Sequence, residues 1–108
     1  MLKDNRIYID HILVSAHRIQ SFVSEMDYDQ FASDVKTQDA VIRNFEIIGE
    51  ATKRISPDFR NKYSEIPWSD MAGMRDRLIH DYLEVDLEIV WKTATEDLPP
   101  LVTLIERI

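Results

Sequence analysis

The chain has 108 residues with no cysteine, two glycines, four prolines and no apolar run of the length needed to cross a bilayer. Without cysteine there can be no disulfide, no thiolate metal site and no thiol nucleophile. So little glycine and proline leaves little turn punctuation, and strand-like alternation of apolar and polar residues is missing as well. Positive charge is in the minority, with 13 Lys and Arg against 20 Asp and Glu and a net charge of −7. This balance argues against non-specific nucleic-acid binding, because phosphate contacts need basic side chains. The segment Met1–Asp10 carries Lys3, Asp4, Arg6 and Asp10 and lacks a signal-peptide core, so a cytoplasmic protein with no membrane association is expected. With 44% hydrophobic and 31% charged residues, the composition is that of a globular chain. Residues 1–108 suit a single domain able to bury its own core.

What the chain does have is apolar residues at helical spacing. Ile9, Ile12, Ala16, Ile19, Val23 and Met26 step by three and four, which predicts a helix from Asp4 to Ser24. A turn over Glu25–Asp29 leads to a second helix over Phe31–Ile55, with Val35, Val41, Phe45, Ile48, Ala51 and Ile55 on its buried side. Ser56-Pro57 stops it, because the residue before proline disfavours the helical conformation, and Asp58–Ile66 is expected as loop or irregular turn. Pro67 fits the first turn of a third helix, Pro67–Ile79, with Trp68, Met71, Met74 and Leu78 inward. Asp86 caps the last helix, whose seam is Leu87, Trp91, Ala94, Leu98, Leu101, Ile105 and Ile108. Pro99 and Pro100 each lack a donor, yet the register continues across them, which predicts a kink rather than a stop. The expected fold is all-α, an up-and-down four-helix bundle with its last helix kinked at Pro99-Pro100.

Gly49 and Gly73 both fall inside expected helices, where each costs roughly 1 kcal/mol relative to alanine. Close approach of the second helix to the third is the reading that offsets this cost. Charge is uneven along the chain. Five basic residues (Arg43, Lys53, Arg54, Arg60, Lys62) stand against three acids between positions 43 and 62, whereas Lys92 alone faces five acids between 83 and 97. Any RNA should meet the first of these stretches together with the segment holding Arg75; the alternative is a solvated helix face.

His11 and His17 are six residues apart and do not share a helix face as ligands at i, i+4 would, so no metal site is expected from them. His80 follows Arg75 by five positions, in Met74-Arg75-Asp76-Arg77-Leu78-Ile79-His80-Asp81-Tyr82. On a continuous helix the two side chains would point roughly 140° apart. They converge only if the helix ends near His80, with Asp81–Val85 as the connection, or if a second subunit completes the site. The spacing alone says little, because Arg6 and His11 repeat it inside the first helix. Bland alternatives stay open at each position. His80 could interact with a helix C-terminus, Arg75 could pair with Asp70, Asp76 or an acid of the last helix, and Tyr82 could pack under the loop with its hydroxyl solvated.

Arg75-x4-His80-x-Tyr82 resembles the signature of HEPN domains, and the tyrosine resembles the HepT-like toxin branch of that family. Ala40-Val41-Ile42-Arg43-Asn44-Phe45-Glu46-Ile47-Ile48-Gly49-Glu50-Ala51, Ile66-Pro67-Trp68 and Glu96-Asp97-Leu98-Pro99 extend the likeness over nearly the whole chain. The resemblance implies an endoribonuclease toxin that needs no metal or other cofactor and works as a homodimer, with the Arg75/His80 pairs lining a shared cleft. It also implies a small MntA-like nucleotidyltransferase antitoxin that transfers AMP to Tyr82, with or without a larger hetero-oligomer of the two proteins. The residue types suit the chemistry. A histidine near neutral pKa can move protons at the 2'-hydroxyl or the 5'-oxygen, and an arginine can hold the phosphate by two hydrogen bonds. Asp76, which could orient Arg75 or His80, and Arg43, Asn44, Glu50 and Lys53 on the second helix are the expected supporting cleft residues. The alternative is a non-catalytic helical module that partners a nucleotidyltransferase, a role that suits the acidity, and a third reading is a plain dimeric scaffold.

Overall fold

In the computed structural model, residues 4–81 and 84–108 are described, with the backbone path alone for 79–81. The first helix, α1 (Asn5–Val23), starts where the Asp4 carboxylate accepts a hydrogen bond from the Arg6 N–H at 2.9 Å. Of its expected stripe, Ile9, Ile12, Ala16, Ile19 and Val23 are buried, while Met26 lies past the end of the helix and is only partly buried against the core.

The second expected helix is two. A short α2 (Tyr28–Ala32) opens with a reciprocal cap, in which Asp27 accepts from the Gln30 N–H and the Gln30 side chain accepts from the Asp27 N–H. The chain then breaks at Ser33-Asp34, and α3 (Val35–Lys53) begins with the Asp34 carboxylate accepting from the Thr37 N–H at 3.0 Å and from its hydroxyl at 2.8 Å. Cap chemistry outweighs the apolar period here. Val35 becomes the first helical residue and is 65% exposed instead of buried as its spacing suggests. The buried Gln38 amide donates to the Phe31 and Ala32 carbonyls at 2.8 and 3.0 Å, satisfying the end of α2.

These bonds from Thr37, the backbone one foremost, hold the Asp34 carboxyl below the usual aspartate range. The ionised form is therefore favoured by folding, and its contribution is present above the unfolded pKa and lost as pH falls through the lowered folded value. An Asp34→Asn variant should keep a cap but lose that titration. Urea midpoints measured from pH 7 down to pH 3 should fall less steeply for it than for the native chain; identical slopes would show that Asp34 carries no such linkage.

Ser56-Pro57, which ends α3 as expected, also starts a helix, α4 (Pro57–Lys62), where the sequence suggests a loop. Ser56 accepts from the Phe59 N–H, and Pro57 sits at a first-turn position that needs no donor. The third expected helix divides at Gly73 into α5 (Trp68–Ala72) and α6 (Met74–Leu78). Its inward residues Trp68, Met71, Met74 and Leu78 are buried as the spacing predicts. After α6 the chain is not helical to Ile79. Strand β1 (Ile79–Asp81) pairs antiparallel with β2 (Glu84–Val85), Ile79 opposite Val85 and Asp81 opposite Glu84. The expected plain connection is thus a small ladder.

Asp86 accepts from the Ile89 N–H and opens α7 (Leu87–Lys92). A widened π turn over Thr93–Asp97 follows, then α8 (Leu98–Glu106) with both prolines in its first turn. The expected kink is present. Pro99 and Pro100 cannot donate to the carbonyls four residues back, and the wide turn just before them takes up the strain.

The α1 and α3 helices run antiparallel, their ends clasped where the Ser56 N–H donates to Asn5 Oδ1 at 2.9 Å and Asn5 Nδ2 donates to Ser56 Oγ at 3.2 Å. The last helix packs on α1, and α5 and α6 pack on α3. One connected cluster of buried residues fills the space between them. Among the described residues no helix is long and apolar enough to cross a membrane.

Candidate functional site

The α3 helix has two working faces. Val41, Phe45 and Ile48 point into the core, while Arg43, Glu46, Glu50 and Lys53, spaced three, four and three residues apart, form a charged stripe on another side. Gly49 lies between the faces. A Cβ there would stand 3.4 Å from the Ala72 carbonyl oxygen and 3.5 Å from that of Met71, so the end of α5 approaches the backbone of α3 closely, as its glycine suggests. Gly73 is different. A Cβ there would meet only its own segment, at Ser69 O, and its role is to end α5 rather than to admit a neighbouring helix.

This approach brings the start of α6 against the charged stripe and forms a cleft of about 350 Å³ lined by Arg43, Glu46, Gly49, Glu50, Lys53, Ala72, Arg75 and Asp76. Arg75, 52% exposed, donates from Nε to Glu46 Oε2 at 3.2 Å and pairs with Asp76 through a nitrogen at 3.5 Å. Glu50 and Lys53 pair at 3.6 Å. Three cations therefore share the cleft with three carboxylates, and the Arg75 side chain is paired while about half of it remains open to solvent.

Of the residues expected at the site, Arg75, Asp76, Arg43, Glu50 and Lys53 share this cleft. Asn44 does not. It is 6% exposed on the core side of α3, its amide donates to the Ala40 carbonyl at 2.8 Å, and its buried Oδ1 has no partner among the described residues. The backbone of His80 lies in β1, two residues beyond the end of α6, so the helix stops before it, as convergence with Arg75 requires. The expectation for the Tyr82 side chain falls outside the described residues. Arg75 finds Asp76, one of the partners its sequence context suggests, but its closer one is Glu46. The last-helix acid Asp97 lies instead near Arg77, at 4.0 Å. Glu46 is the cleft residue that sequence reasoning missed, although its place in the Arg43–Glu46–Glu50–Lys53 stripe was a usable signal.

The basic stretch does not make one surface. Arg60 is tied to the Thr52 carbonyl at 2.6 Å and Lys62 lies over the Tyr63 ring, leaving Arg43, Lys53 and Arg54 for the cleft and the groove beside it. The acidic end lies elsewhere, where Asp86, Glu88 and Glu96 surround Tyr28 and Trp91. There the Tyr28 phenol is raised above its ordinary value, by desolvation first and then by Glu88, Asp86 and Asp29. Among the described residues no group of three or more histidines and carboxylates is placed to hold a metal.

A helical bundle with a partly open arginine in a charge-balanced cleft, followed by a histidine-bearing strand, is the class that fold and site define. Residues 12–108 match the family described as "Ribonuclease HepT-like". A "Probable ribonuclease HepT" of Thermococcus cleftensis is 44% identical over 108 residues, covering 100% of this chain and 98% of that protein. "Putative RNase MJ0127" of Methanocaldococcus jannaschii is 43% identical over 106 residues, covering 98% and 88%. "Putative RNase TTE0752" of Caldanaerobacter subterraneus subsp. tengcongensis is 37% identical over 107 residues, covering 99% and 96%. The chain belongs to the HepT-like ribonuclease family. No solved structure gives a significant match.

Proposed function

We propose that the protein is a metal-independent endoribonuclease toxin that cuts RNA with Arg75 and His80. The observation that carries this reading is the half-open Arg75, paired with Glu46 and Asp76 in a cleft, on the short helix that runs straight into the strand bearing His80. The RNA 2'-oxygen attacks the adjacent phosphorus and the bond from phosphorus to the 5'-oxygen breaks, leaving a 2',3'-cyclic phosphate and a 5'-hydroxyl. The 2'-hydroxyl gives up its proton and the departing 5'-oxygen gains one. His80 serves one or both transfers, while Arg75 stabilises charge building on the non-bridging oxygens. The active form is a homodimer in which two such pairs line one cleft, with Asp76, Arg43, Glu50 and Lys53 supporting it.

The proposed control is an MntA-like nucleotidyltransferase antitoxin. The Tyr82 hydroxyl attacks the α-phosphorus of ATP, pyrophosphate leaves, and the added anionic phosphate competes with RNA for Arg75. The balanced charges of the cleft and the net charge of −7 favour the second reading, a non-catalytic module that partners a nucleotidyltransferase. One assay separates the two. Purified protein is incubated with RNA in EDTA beside Arg75→Ala and His80→Ala. Cleavage by the native protein that both changes reduce at least about 100-fold supports the nuclease, and no cleavage by native protein shifts the assignment to the binding module.

A further inference from the structure

The α1 helix carries two apolar stripes. Ile9, Ile12, Ala16, Ile19 and Val23 face the core. On the opposite side Ile7 and Val14, seven residues apart and each 50% exposed, share an open groove with His11, Arg18 and Ile47. Three of the four large hydrophobic side chains exposed among the described residues lie on this one helix, Phe22 being the third. A surface helix needs one apolar stripe to hold it to its domain, and a second calls for a second partner.

We propose that this face is the contact surface for a second copy of the chain, with the two α1 helices antiparallel and Val14 on the two-fold axis. The charges select that occupant. Asp10 and Arg18 flank Val14 four residues to either side, so in the antiparallel arrangement Asp10 of each copy is level with Arg18 of the other. The pair is then made twice, as a two-fold interface requires. A parallel arrangement would set Asp10 beside Asp10 and Arg18 beside Arg18. Among the described residues of the single chain, Asp10 has only an exposed pair with Arg6 at 3.3 Å, and Arg18 has no ion-pair partner. A partner of unrelated sequence has no reason to meet charges placed symmetrically about one valine.

The surface also leads to the candidate site. His11 and Ile47 line a neighbouring groove with Arg43, Glu46 and Glu50, and those three line the Arg75 cleft. Copies joined at Val14 therefore bring their two clefts toward one another. The inference rests on the homodimer reading above and deepens it by naming the face and its pairs.

The test uses the full chain, with mass in solution measured by light scattering across a dilution series. Native protein should be a dimer. Asp10→Arg and Arg18→Asp should each weaken it by roughly 30-fold or more, and the two changes combined should restore it, because each new charge again meets its opposite. The chain has no cysteine, so Val14→Cys should form a covalent dimer on mild oxidation, whereas Val35→Cys, more exposed than Val14 but away from the axis, should not. A native monomer at tens of micromolar overturns the proposal. A dimer indifferent to both charge changes, with no crosslink through Val14→Cys, overturns this face while leaving the homodimer reading intact. RNA cleavage by native protein is scored separately, so a silent nuclease assay does not bear on the contact surface.

Discussion

An Arg75→Lys variant is expected to cleave RNA about 100-fold more slowly than the native protein despite keeping the positive charge, close to the loss from alanine. The reason is geometric. Arginine offers five N–H donors in a rigid plane, and the cleft already uses that plane, with Nε bonded to Glu46 at 3.2 Å and a terminal nitrogen 3.5 Å from Asp76. The side chain is half open to solvent, which leaves its remaining donors free to meet a phosphate on two oxygens. A lysine ammonium is a single point on a flexible stem, and two carboxylates are waiting for it. It cannot satisfy them and hold a phosphate as well. Single-turnover cleavage with saturating enzyme reads the effect, and a urea midpoint close to native shows that the fold is intact. Activity within a few-fold of native would mean that charge alone matters and that the two carboxylates position nothing.

Phe45→Ala should be the most damaging change to stability, at about 3–5 kcal/mol, a large part of the roughly 5–15 kcal/mol that holds a domain of ordinary stability together. The ring is fully buried on α3, the helix against which α1, α5 and α6 all pack. Removing it leaves a void in that shared contact, which no single neighbour can close by shifting. Chemical unfolding measures the loss directly. A cost below about 1.5 kcal/mol would show that the core collapses around the gap, contrary to the close packing described. Function should follow stability here, because Glu46 is the next residue and its direction into the cleft depends on Phe45 anchoring the opposite side.

Helix faces were more legible in the sequence than helix ends. The apolar residues assigned inward from Ile9 to Val23, from Val41 to Ile55 and on α5 and α6 proved buried, because a three-and-four spacing has one inward solution; Met26, past the end of α1, is only partly so. The breaks were harder to see. Ser33-Asp34 interrupts an otherwise continuous period, and a side-chain cap worth a hydrogen bond or two decides the matter locally. Ser56-Pro57 was readable as a stop, yet the same pair is an equally good start, and only the space beside Trp68 and Tyr63 shows that both apply. At the site, spacing along the chain indicated Arg75 and Asp76 and much of the charged stripe. It did not indicate Glu46 as the arginine's partner, because that bond joins positions 29 residues apart. Asn44 was misplaced for a simpler reason. It neighbours Arg43 in sequence, but one step along a helix turns a side chain by about 100°, enough to carry it from the cleft into the core.

The closeness of α5 to Gly49 sets a rule for judging kindred sequences. Alanine fits at that place, since its methyl would only touch the two carbonyls; valine, leucine or any longer group would wedge α5 outward and carry the start of the arginine-bearing α6 with it. A cousin with the arginine, the histidine and the tyrosine in perfect order but a bulky residue at the counterpart of Gly49 should be a poor cutter. The motif would be intact, and the hinge plate behind it would be the wrong thickness.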